Sequence, residues 1–154
     1  MPKLKTKEEA YELCLSEGHI QHKEEINLEK IKSLIENAEI NTNSSNLLAK
    51  AIDKSAKEWM NVYTLCYDAL GIYAEALLLF EKIESNNHQC LFAALCLKYA
   101  HLELEWDFFE SLRTKRNGIN YYGERINHHD WRSIEMQMKL YLSTLKEEVK
   151  RKLS

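Results

Sequence analysis

Apolar residues recur along this chain at helical spacing and scarcely ever alternate with polar ones, which predicts an all-helical fold. Lys7–Glu17 reads as a short amphipathic helix with Ala10, Tyr11 and Cys14 on one side, ended by Gly18. A second helix is expected over Glu24–Ala38, where Ile26, Leu28, Ile31, Leu34 and Ile35 are apolar. Asn41–Asn46, NTNSSN, holds only turn-forming residues and reads as a linker, with Ser44 or Ser45 capping the next helix. From Leu47 to Ile83 only Gly71 interrupts the helical pattern, at about 1 kcal/mol relative to Ala. The run is one bent helix, or two with a hitch near Asn61.

Tyr63–Phe80 is the most apolar part. Leu65, Ala69, Tyr73, Ala76 and Phe80 form a core stripe, and Ile72, Leu78 and Leu79 cover much of the opposite side. A helix apolar nearly all round is buried on both sides. In a chain this small the second burial predicts a partner subunit. Asp68 and Glu75 stand on that second side, seven residues apart and nearly aligned.

Ser85–Asn87 is a turn that caps a helix over Asn87–Leu102, with Leu91, Phe92, Leu95 and Tyr99 facing the core. Leu104–Leu112 is the next helix. After a loop at Gly123–Asn127, a last helix is capped by Asn127 or His128, with Asp130 in its first turn. It carries Trp131, Ile134, Met138, Tyr141, Leu145 and Val149 on one face. The expected architecture is an up-and-down helical bundle of about five principal helices. Residues 1–43 are read as a helical extension packed on a bundle formed by residues 44–154.

Composition narrows this further. A chain of 154 residues is one domain with a proper core, and 4 glycines and 1 proline suit helices. The net charge of −3 mixes both signs, so any contact with nucleic acid must be local. No apolar run is read as long enough for a membrane span, and Met1–Cys14 has acids but no apolar leader segment. Cys14, Cys66, Cys90 and Cys96 form no C-x-x-C pair and are expected as buried, reduced thiols of a cytoplasmic protein. His19 and His22 fit one helical face, and His128, His129 and Asp130 cluster at a helix start. Neither group has a further ligand nearby, so no metal is expected, and no cofactor motif is present.

Candidate chemistry gathers in Ser111–Gly123, SLRTKRNGINYYG. Phe108, Phe109 and Leu112 share a stripe, and at about 100° per residue Arg116 falls between the last two while Arg113 points further round. An arginine on the core side needs an acid or a cleft. Asp68 or Glu75 is the acid to meet it, with Glu75 ahead because YAEALLLF encloses it more fully. Gly118 after Asn117 is expected to break the helix and let Asn120 and Tyr121 fold back towards the guanidinium. Arg113, Lys115 and Arg125 add a local basic patch, and Tyr122 lies beside it. His88 opens a helix and reads as a capping-turn residue. The same groups also suit an ordinary ion pair and a solvated basic face.

RTKRNGINYYG, with the upstream YDALGIYAEALLLFEKIESNNHQCLFAAL, resembles the HEPN superfamily of small helical bundles, over roughly Ala51–Leu153. Active members carry an Arg-x4-6-His element with a polar residue after the Arg. Arg116 and Asn117 match it, but Tyr121 stands in place of the His, and similar members also place a His at the position of His88. The resemblance implies an RNA or nucleotide site built from Arg116, Asn117 and Tyr121, around which the reading of the residues places Arg113, Lys115, Asn120, Tyr122, Asp68 and Glu75. It also implies metal-independent endoribonuclease activity of toxin or defence type, a homodimer and a minimal nucleotidyltransferase partner. With a phenol of ordinary pKa about 10 where the imidazole belongs, proton transfer lacks its usual group. The alternative is a non-catalytic bundle serving interaction or assembly.

Overall fold

The computed structural model describes residues 5–154, and the first four residues of the segment read as lacking a leader lie outside them. Among the described residues the fold is an all-α bundle of six helices with one very short sheet. The helices are α1 (Lys7–Ser16), α2 (Leu28–Ala51), α3 (Trp59–Phe80), α4 (His88–Lys98), α5 (Trp106–Tyr122) and α6 (His128–Leu153). Strand β1 (Gln21–His22) pairs antiparallel with β2 (Ile83–Glu84), so His19 and His22 do not share a helical face.

α3 is the hub. It packs most extensively on α2, then on α6 and α4, while α1 lies on α4. The second apolar side of α3 is therefore covered from within the chain, and that ground for a partner subunit falls. By length and composition α3 is also apolar enough to cross a membrane, contrary to the expectation of no such run. Its 18-residue window has a mean hydropathy of 1.3, yet 72% of that window is buried inside the fold.

The segment read as a linker is instead the C-terminal half of α2, which runs unbroken to Ala51 and crosses the 43/44 boundary. Its hydroxyls do not compete for the helix backbone in the way that favours turns. Thr42 Oγ1 donates back to Ala38 O at 2.9 Å, while the buried Ser45 Oγ donates across to Val62 O on α3 at 2.9 Å. Ile31, Ala38 and Ser45, spaced by seven, make one buried stripe whose small members let α2 approach α3 closely. The real break comes at Ile52–Glu58. There Asp53 Oδ1 accepts from Ser55 N at 2.9 Å, and Asp53 O accepts from the Trp59 indole at 2.9 Å.

Caps obey the expected chemistry. Asn87 accepts from Cys90 N at the start of α4, and Asn127 with Asp130 forms a reciprocal capping box on α6. α4 stops at Lys98 and passes through a short 3-10 turn, Ala100–Leu102.

The N-terminal segment is tied to the α3–α4 turn and to α4 itself in three ways. The β1–β2 pair is one, and Lys23 and Lys30, both bound to Glu84 at 3.0 and 2.9 Å, are another. The third is a disulfide between Cys14 and Cys90, joining α1 to α4. This corrects the expectation of four reduced thiols; Cys66 and Cys96 remain free and buried.

Two outcomes are expected. The bridge closes a loop of 76 residues, so Cys14→Ser with Cys90→Ser should cost about 4 kcal/mol, roughly a 10 °C fall in Tm by calorimetry. Thiol titration of the denatured, unreduced wild type should count two free cysteines, not four. Secondly, α5 continues through Gly118, so Gly118→Ala should be neutral or stabilise thermal unfolding by up to about 1 kcal/mol. Its new Cβ would meet the flexible Glu124 side chain, whose carboxylate end can swing aside. A helix broken at Gly118 would be destabilised instead.

Candidate functional site

α5 is seated by Phe109 and Leu112, both fully buried, with Phe109 stacked on Phe92 of α4 at 4.7 Å. Tyr63 of α3 donates to Leu112 O at 2.5 Å, which fixes the register between the two helices. The helix ends at Gly123, whose φ of +65° suits a residue without a side chain, and Glu124 N bonds back to Gly118 O at 3.1 Å. The expected break at Gly118 is thus displaced by five residues. Glu124 folds over Gly118, its flexible carboxylate end lying where a side chain at that position would begin.

With the helix intact, Arg116 and Asn120 are one turn apart, and Arg116 Nη1 donates to Asn120 Oδ1 at 2.5 Å. Arg116 is only 20% exposed in its side chain, and its Nε lies 3.8 Å from Asp68 Oδ1 on α3. The acid that answers it is Asp68; Glu75, ranked ahead by its apolar neighbours, lies two turns further along α3, close to Lys30 and Glu84. Arg113 is held differently, by a bidentate contact with Glu110 at 3.0 and 3.1 Å, and Gln89 also donates to that carboxylate at 3.1 Å. Of the two guanidiniums, Arg116 keeps more of its donors unused.

These groups border a cleft of about 420 Å³ where α3, the start of α4 and α5 meet. Arg113, Arg116, Asn117, Asn120 and Tyr121 come from α5, and Asp68 from α3. Tyr121 stands at the rim, 75% exposed, and does not fold back onto the guanidinium. Lys115, Tyr122, Arg125 and Glu75 are not among the groups that line it.

The cleft also holds His88, read from the residues as part of a capping turn and, by the HEPN resemblance, as a position where similar members carry a His. His88, the first residue of α4, has Nδ1 3.0 Å from the Tyr67 hydroxyl, while its Nε2 makes no hydrogen bond among the described residues. Loss of water lowers the imidazole below its ordinary 6.5; Asp68 pulls it back up, and Arg116 and Arg113 push it down. His88 is therefore neutral near pH 7 and able to take a proton. Burial likewise raises the Tyr67 phenol and the Asp68 carboxyl, the latter against the opposing pull of Arg116. The linear signal for His88 was slight, because its distance from Arg116 in sequence is 28 residues and only the α3–α4–α5 packing closes it. Among the described residues no cluster of three or more His, Cys, Asp or Glu groups could hold a metal ion.

An NMR titration of the His88 ring should show a pKa below 6.5 in the wild type, lower still in Asp68→Asn and higher in Arg116→Ala. The unfolded chain then binds the extra proton first, so the His88 contribution to stability is present above about 6.5 and is lost as the pH falls below it. A wild-type ring titrating above 6.5 would contradict this environment.

No protein-family model matches the chain, and neither a curated protein nor a solved structure matches it.

Proposed function

We propose that the α3–α4–α5 cleft binds RNA or a nucleotide through Arg116 and cleaves RNA there without a metal ion. One observation carries this reading: a sheltered, incompletely neutralised guanidinium shares a small cleft with a neutral histidine. Arg116 would hold a non-bridging phosphate oxygen and stabilise the charge that grows on it in the transition state. Asn117 and Asn120 supply amide groups beside it, and the exposed Tyr121 ring offers a surface on which a base can stack.

His88 Nε2 would take the proton of the ribose 2′-hydroxyl as that oxygen attacks the adjacent phosphorus. The P–O5′ bond then breaks, leaving a 2′,3′-cyclic phosphate, and the departing 5′-oxygen receives a proton from the imidazolium or from water. Asp68 orients Arg116 and favours the protonated ring, a positioning role.

The HEPN resemblance supports the same reading and adds a toxin or defence setting, a homodimer and a minimal nucleotidyltransferase partner. An RNA ligand also fits a cytoplasmic protein, with the Cys14–Cys90 bridge as the feature least at home there.

A second reading, a non-catalytic interaction module, is favoured by the Asp68–Arg116 pair and by the exposed Tyr121 and Tyr122. Titration of labelled RNA followed by anisotropy, with gel analysis of cleavage, separates the two. Under the first reading Arg116→Ala lowers affinity about tenfold or more and reduces the slope of log K against log salt by about 1. His88→Ala leaves binding intact and slows cleavage by about 10²-fold or more. Wild-type protein that neither binds nor cleaves RNA would support the interaction module.

A further inference from the structure

The Arg116 cleft does not end at His88. Asp68, Asn86 and His88 are shared with a second cleft of about 710 Å³ that runs on along α3 to Glu75. That volume falls within the range of small-ligand sites. Gly71 leaves the floor bare, Ile72 and Leu91 give it an apolar flank, and the segment around His19 forms its far wall. Asp68, Gly71, Ile72 and Glu75 have the spacing of a single helical stripe, so the two clefts are one groove along one face of α3.

Glu75 is the unanswered group in that groove. It is half-buried, and among the described residues it makes no hydrogen bond or ion pair. Lys30, the cation that acts on Glu75 at a distance, gives its ammonium to Glu84 at 2.9 Å. A carboxylate withdrawn from water without a partner is costly, and an ionised one only accepts hydrogen bonds. Two turns of helix put Glu75 about 10 Å from Asp68 along the stripe. A nucleotide whose phosphate sat at Arg116 could then extend along the stripe past Gly71 towards Glu75.

We infer that Glu75 reads guanine: with an RNA phosphate at Arg116, its carboxylate accepts from N1–H and the N2 amino group of a guanine lying over Gly71. This deepens the RNA reading above and rests on it. Guanine alone among the four bases offers two adjacent donors on its pairing edge. Adenine and cytosine set an acceptor beside their amino group, and uracil flanks its single donor with acceptors, so each points a lone pair at the carboxylate.

The test uses short labelled oligouridylates carrying one central guanine, adenine, cytosine or inosine, titrated by anisotropy against wild type, Glu75→Gln and Arg116→Ala. Wild type should bind the guanine oligomer about tenfold or more tighter than the adenine and cytosine ones, with inosine, which lacks the amino group, between. Glu75→Gln should lose that preference and keep its affinity for the other oligomers, because an amide presents a donor beside an acceptor. Arg116→Ala should weaken all four alike. Equal binding of all four by wild type, or a guanine preference that survives in Glu75→Gln, overturns the Glu75 assignment and leaves the RNA site standing. Absence of binding to any oligomer overturns the RNA reading and this inference together.

Discussion

α3 is apolar on nearly every side, and such a helix is stable in water only when other elements enclose it. α2, α4, α5 and α6 supply that enclosure, and the fold is largely the answer to it. The enclosing helices also satisfy the polar groups at its surface: Ser45 of α2 donates to Val62 O, and Tyr99 donates to Leu77 O at 2.8 Å. Cleft and core are consequences of the same constraint. The stripe of α3 through Asp68, Gly71, Ile72 and Glu75 is where the enclosure is incomplete, and it is where the two acids of this helix stand.

The parts of the fold legible in the sequence were those set by local chemistry. The stripe of α6, the Asn127–Asp130 box and the Asn87 cap each depend on residues within a turn or so of one another. The misread parts depend on partners far away. NTNSSN has the composition of a loop, yet Ser45 finds an acceptor on α3, and the helix persists because α3 gives it a buried surface to track. Cys14 and Cys90 are 76 residues apart, and no spacing rule joins them. Asn117-Gly118 suits a turn, but Phe109 and Leu112 anchor α5 firmly enough for a single glycine to be carried.

The candidate site divides along the same line. That Arg116 needed an acid on α3 could be argued from its place on the core stripe. Which acid it meets is decided by how far α5 is slid along α3, a quantity set by contacts such as Tyr63 Oη to Leu112 O. Glu75 was preferred for its apolar neighbours, but such neighbours report burial and not the identity of a partner. His88 was read only as a capping-turn residue at a position where similar family members also carry a His, because its chemistry lies in what surrounds it, and every charged group that tunes it comes from α3 or α5.

The groove that results has polarity without much net charge. Arg113, matched by Glu110, and Arg116, only partly matched by Asp68, stand at one end, while Glu75 and Glu84 stand at the other. A net charge of −3 offers no long-range attraction for a polyanion, so under the proposed reading any affinity for one would come from direct contacts at short range. Such a groove discriminates against a ligand that is uniformly anionic, because its far end is acidic. It accommodates one whose negative group and hydrogen-bond donors lie apart on a rigid frame, entered in a single orientation. On the proposed RNA reading, the acid on the enclosed helix that Arg116 leaves without a partner would set which end of the ligand goes where.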